Sequence, residues 1–290
     1  MKKLIIMFST VVIFLSIFLL LFSGVKDKPY DEKTFSLRTH YAYLVDEKLS
    51  FAVKVYSNFD DSILLYANKG TAILHDRVEE NIVSVNVLES YISNSVLYDE
   101  EVFYEYSILL EVDMDSLLIE ECYLTISFSN KSYTFNIGSV ELNEKKDNFK
   151  QINITNLYGV VGHEEVSLTG FVITFNNTTK NSWNISNVSI GNNHQVILNE
   201  NNIVSILESN DINDYQHVNE TSSNGLTILS NTQKTYILPI QKDKELYLYN
   251  TYLLIEINKE KYYISNFNYI SSNDVSRLSK YIESGILYEF

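Results

Sequence analysis

YLTISFSNKSYTF (Tyr123 to Phe135) and YLLIEINKEKYYI (Tyr252 to Ile264) align without a gap at a shift of 129 residues, and this pair decides how the chain is built. In each, apolar residues alternate along one strand: Leu124, Ile126 and Phe128 in the first, Leu253, Ile255 and Ile257 in the second. A four-residue polar connection follows, and then a second strand opens on tyrosine. Period-two alternation puts every other side chain on one face, and two such runs around a short polar turn predict a β-hairpin. The chain uses that hairpin twice.

Other matches extend the repeat. The shift of 129 also pairs Ile108-Leu109 with Ile237-Leu238 and Leu117 with Leu246. Upstream, FAVKV (Phe51 to Val55) answers FVITF (Phe171 to Phe175) at 120, the register that keeps the apolar face inward. NIVS (Asn81 to Ser84) recurs as NIVS (Asn202 to Ser205) at 121. Shifts that rise in chain order describe a collinear duplication with insertions. The largest insertion falls in or around SNDINDYQHVNETSSNG (Ser209 to Gly225), a polar stretch of the kind that loops use for binding. Asn210, Asp211, Asp214, Tyr215 and His217 are its candidate interaction residues.

Composition supports strands. Tyr (22) and Phe (15) are abundant while Gly (9) and Pro (2) are scarce, so Asn, Asp and Ser must make most turns. The triplets Asn176 to Thr178 and Asn187 to Ser189 read as such turns. The expected fold is all-β: two tandem antiparallel β-sandwiches of immunoglobulin-like character, over 34–145 and 150–290. The Cys-Trp-Cys hallmark of true immunoglobulin domains is missing. Tyr123 and Tyr252 stand where sandwiches often place a corner tyrosine. SSNDVSRLSKYIESG (Ser271 to Gly285) predicts a short amphipathic helix packed on the second sandwich, and the final ILYEF is a candidate edge strand.

The N-terminus places the chain. Leu4 to Val25 is a run of 22 uncharged residues, and a helix needs about 20 apolar residues to cross a bilayer. Bulky residues flank every plausible cleavage point, and no Cys follows as a lipid acceptor. Residues 1–25 are therefore expected to be a retained transmembrane helix, with 26–33 as linker. Lys2 and Lys3 put the N-terminus in the cytoplasm of a single-pass plasma-membrane protein. A cleaved, secreted module is the alternative.

Chemistry is hard to find. Residues 26–290 carry 20 basic and 37 acidic side chains, a formal net charge of −17, which disfavours nucleic acid. One cysteine, Cys122, allows no internal disulfide, and its phase with Leu124 and Ile126 points it into the core. His40, His75, His163, His194 and His217 have no zinc-binding spacing. Asp113-Met114-Asp115 is the best calcium candidate, but it lacks the glycine turn and closing Glu of an EF-hand. Trp183 reads as a core residue. EVFYEYS (Glu101 to Ser107) and ELYLYNTYLL (Glu245 to Leu254) are candidates for exposed tyrosine stripes. No catalytic, cofactor or metal residue is nominated. The expected function is non-enzymatic: a membrane-anchored scaffold of the bacterial cell envelope that binds another envelope or secreted protein. An accessory subunit or enzyme acting on an envelope component is the alternative.

Overall fold

A computed structural model describes residues 33–46, 48–60, 62–145, 150–152, 154–161, 168–191, 194–202, 224–241, 247–248, 252–265, 268–270 and 287–289. The expected membrane helix at 1–25, the C-terminal helix at 271–285 and the loop bearing Asn210, Asp211, Asp214, Tyr215 and His217 lie outside them. Among the described residues no helix is long and apolar enough to cross a membrane. Lys33–Phe290 forms one compact unit.

The first half contributes β1 (Thr34–Leu37), β2 (Thr39–Val45), β3 (Leu49–Ser57), β4 (Thr71–His75), β5 (Ile82–Tyr98), β6 (Glu101–Val112), β7 (Leu117–Ser127) and β8 (Ser132–Glu144). A 3-10 helix at Ile63–Lys69, capped by Ser62, is the one helical element described. The second half contributes β9 (Lys150–Gln151), β10 (Asn156–Val161), β11 (Leu168–Asn177), β12 (Trp183–Ile190), β13 (His194–Gln195), β14 (Leu226–Ile228), β15 (Thr232–Pro239), β16 (Tyr247–Leu248), β17 (Leu253–Ile257), β18 (Glu260–Ile264), β19 (Asn268–Ile270) and β20 (Leu287–Glu289).

In the first half β5 switches sheets. Ile82 to Val85 pair with β4, while Asn86 to Tyr98 pair with β6. One layer therefore reads β1-β3-β6-β5 and the other β2-β8-β7-β4, an immunoglobulin-type Greek key in which β2 adds a parallel strand beside β8. Phe51, Val53 and Val55 of β3, Ile108 and Leu110 of β6, and Leu124, Ile126 and Phe135 of the facing layer share one buried cluster. The second half repeats the plan: β15-β11-β10 on one side and β12-β17-β18 on the other. Its cluster holds Phe171, Ile173, Phe175, Ile185, Val188, Leu238 and Ile255. The alternation read in the sequence is what buries these residues, since a strand can present one apolar face only at period two.

Register tests the repeat directly. Leu124 pairs with Phe135 and Leu253 with Ile264; Ile126 pairs with Tyr133 and Ile255 with Tyr262. Both hairpins thus share one register at a shift of 129. Their turns differ: Asn258 and Lys259 both have positive φ, the primed turn that matches strand twist. Phe51 faces Leu110 as Phe171 faces Leu238, so the 120 shift of FAVKV and FVITF is also structural.

Two matches are corrected. Leu238 corresponds to Leu110 through these pairings, and Tyr236 to Ile108, so the Ile108-Leu109 match with Ile237-Leu238 was slipped by one residue. Ile108, Tyr236 and Leu238 are buried while Ile237 is half-exposed, which is the face inversion that a slip produces. The NIVS match does not give the counterpart of Val83 either, and Ile203 to Ser205 lie outside the described residues. Leu74 pairs with Val83 and Leu124, and Ile190 with His194 and Leu253, so His194 stands in the place of Val83. Asn187 to Ser189 lies inside β12 and is no turn.

The second half lends strands to the first. β16 runs parallel to β2, and β20 runs antiparallel to β1, so both ends of the first half's ten-strand path come from the second half. Bare strand edges invite pairing with other chains. Deleting residues 287–290 is expected to cost roughly 1–2 kcal/mol for the lost backbone pairs and to raise self-association. Light scattering and thermal melting check this; a monomer with an unshifted transition would refute it.

Candidate functional site

The longest hairpin ends in an open edge. β5 has 17 residues, but its neighbour β4 has five and covers only Ile82 to Val85. From Asn86 to Tyr98, one side of β5 pairs with β6. Among the described residues no strand and no backbone hydrogen bond meets the other side, although the 3-10 helix Ile63–Lys69 packs against β5. Two register shifts, at Val87/Glu89 and Ile92/Asn94, bulge the strand. Such bulges twist an edge and turn side chains outward. Leu88, Tyr91 and Leu97 are exposed, Leu97 at 70%, and Val102 stands opposite Leu97 across the hairpin. The turn residues Asp99 and Glu100 both have positive φ, a primed two-residue turn built without glycine.

Charge is one-sided there. Val78 to Val112 contains eight acidic residues and no basic one. Lys33, Lys54 and Lys48 reach Glu101, Glu105 and Glu111 from outside the hairpin. Among the described residues, Glu79, Glu80, Glu89, Asp99 and Glu100 have no such ion pair.

Glu105 fastens the edge strand to the sheet. Its Oε1 accepts from Lys54 Nζ at 2.8 Å and from Ser93 Oγ of β5 at 2.7 Å, while Oε2 accepts from the Tyr56 hydroxyl at 2.7 Å. Burial pushes this carboxyl up, but the Lys54 ammonium and the two hydroxyls outweigh it and hold it below the usual carboxylate range. A depressed pKa contributes stability above the unfolded value, near 4.3, and loses it as pH falls through the folded value. Glu105→Gln is therefore expected to cost roughly 1.5–3 kcal/mol at pH 7 and much less near pH 3, read as the gap between wild-type and variant urea curves. An equal gap at both pH values would exclude this role.

A second polar cluster is sealed where the halves meet. His40 of β2 and Glu141 of β8 are 1% and 2% exposed. His40 Nδ1 lies 2.7 Å from Ser139 Oγ, and its Nε2 lies 3.9 Å from Glu141 Oε2. Glu141 Oε1 accepts from Asn143 Nδ2 at 2.7 Å and from the Tyr252 hydroxyl of the second half at 3.2 Å. His194 packs edge-on against His40, with ring centroids 4.3 Å apart. Gly191 presses on Glu141 so closely that a Cβ would lie 2.7 Å from Oε2. Ala42 packs with Tyr252 and Leu254 beside them. Ser139, His40 and Glu141 are the residue types of a hydrolytic relay, but nucleophilic chemistry needs substrate access. These side chains are closed off from solvent, and the cluster is built as a joint.

Other sequence readings resolve simply. Cys122 is fully buried, and burial pushes its thiol up to about 12. Phe103 and Tyr106 point inward, so EVFYEYS exposes no stripe; the Tyr106 hydroxyl donates to the Phe59 carbonyl. Tyr252 is no corner tyrosine, because its hydroxyl crosses to Glu141 rather than back to its own backbone. Tyr123 donates to Glu121 at 2.8 Å. Trp183 is half-buried against the second core. Asp113 lies 3.9 Å from Lys48, and among the described residues no group of three or more His, Cys, Asp or Glu is arranged to hold a metal. Spacing gave no sign of the His40–His194 contact. For the open edge a signal existed: a long alternating run, Ile82 to Tyr98, beside the five-residue TAILH.

No family model matches the sequence, and no curated protein matches it. Among solved structures, titin Ig tandem domains A164-A165 align over 82% of this chain and 98% of that one, at 8% identity and a TM-score of 0.20. At that score the superposition carries no weight, and the fold assignment rests on strand order and register.

Proposed function

We propose that this chain is a non-enzymatic binding protein of the bacterial cell envelope, in which two coupled β-sandwiches present the open edge of β5 to another envelope or secreted protein. The observation that carries the reading is the edge from Asn86 to Tyr98, which no described strand pairs, rimmed by exposed Leu88, Tyr91 and Leu97. Extended segments bind such edges by adding a strand, taking affinity from main-chain hydrogen bonds. The apolar run Leu4 to Val25 anchors the chain in the plasma membrane, with Lys2 and Lys3 on the cytoplasmic side and the sandwiches outside.

The two parts are tested separately. A photo-crosslinking residue at Leu97 is expected to give a discrete adduct in intact cells, while one at the exposed Leu229 of the second half gives none. Equal labelling at both sites, or none at Leu97, removes the edge as the binding surface. Protease added to intact protoplasts is expected to digest the sandwiches; full protection would place them on the wrong side of the membrane.

A further inference from the structure

We infer that the occupant of the β5 edge is a basic, extended segment of a partner protein, added to the sheet as a further strand. This rests on the reading of that edge as a binding surface. Backbone pairing supplies affinity to any extended chain, so selectivity must come from side chains on and around the edge. Those side chains are of two kinds. Leu88, Tyr91 and Leu97 offer exposed apolar contacts. Glu89 within the strand and Asp99 and Glu100 beyond it offer carboxylates that no described ion pair neutralises.

An acidic strand would meet like charge at Glu89 and at the Asp99-Glu100 turn, which is destabilising across a strand pair. A second copy of this chain fails for the same reason. Edge-to-edge pairing of two β5 strands would gather Glu89, Asp99 and Glu100 from each with no cation between them, and the two bulges already twist the edge away from flat self-pairing. A segment of about 12 residues, roughly 40 Å long, spans the edge. Lys or Arg opposite Glu89 and at the end beside Asp99 and Glu100 would face the carboxylates, with aliphatic residues between them to cover Leu88, Tyr91 and Leu97.

Full-length protein in a zwitterionic detergent, a Lys-Val alternating dodecapeptide, its Glu-Val counterpart and a Thr-Val counterpart provide the test. The readout is hydrogen exchange of the amides of residues 86–98. The Lys-Val peptide is expected to slow exchange there at least about tenfold, an effect that weakens as salt rises. The Glu-Val peptide is expected to do nothing. The combined variant Glu89→Lys, Glu100→Lys should reverse the preference, and unchanged exchange in β7 and β8 shows that it still folds. Equal protection by all three peptides overturns the basic partner while leaving strand addition in place. Protection by none of them overturns strand addition itself.

Discussion

Gly138→Ala is expected to destabilise the protein by at least about 3 kcal/mol, lowering the melting temperature by roughly 6–12 °C or preventing folding. Two independent costs combine. Gly138 has φ +102, a region that side-chain-bearing residues rarely enter. An alanine Cβ there would also lie 2.4 Å from Thr39 O and 2.5 Å from Thr39 N. Those are backbone atoms and cannot rotate away. The position matters because Gly138 sits where the chain changes sheets: β1 leaves β3 at Leu37, and Thr39 then pairs with Gly138 to start β2 alongside β8. The turn is held locally, since Asn136 Oδ1 accepts from the Gly138 N–H at 3.0 Å and the Asn136 carbonyl accepts from Ser36 Oγ at 2.8 Å. Thermal melting of the variant decides the matter; a transition within 2 °C of wild type would show that the crossover can relax around a methyl group.

That crossover marks the boundary of what was readable in the sequence. Alternation made the hairpins legible, because Leu124, Ile126, Leu253 and Ile255 each report a face and a hairpin needs only local pairing. Short common words misled: NIVS recurs at Asn202 while the structural counterpart of Val83 is His194. Two adjacent aliphatics, such as Ile108 and Leu109, fit either phase, and only the partner strand settles which one is inside. ILYEF does supply the edge strand β20 that the sequence offered, but which strands β16 and β20 join was not legible. β16 and β20 are short, and nothing local tells a strand that its partner lies more than 200 residues away. The edge of β5 is intermediate: its length could be read from Ile82 to Tyr98, but whether it is covered depends on where β4 stops.

Glu141→Ala is expected to uncouple the two halves, at a cost on the order of 3–5 kcal/mol. Glu141 is the common acceptor of the joint, serving Asn143 from its own strand and Tyr252 from the other half, with His40 Nε2 at 3.9 Å. Burial, and then the carboxylate itself, keep the Tyr252 hydroxyl protonated and able to donate. Alanine removes the carboxylate and leaves His40 and the Tyr252 hydroxyl among buried side chains, where a lost acceptor costs most. Tyr252→Phe removes one hydroxyl and should cost about 1 kcal/mol. Because the contact crosses the joint, the Glu141 effect differs in kind from a core defect. Calorimetry of the wild type should show one cooperative transition, whereas Glu141→Ala should show two, as each half melts on its own core. Ile255→Ala, inside the second core, should lower stability by about 2–5 kcal/mol without opening the joint. A double-mutant cycle of Glu141→Gln with Tyr252→Phe then isolates the pair, and a coupling energy near zero would show that the halves are held by β16, β20 and the Ala42–Leu254 contact instead.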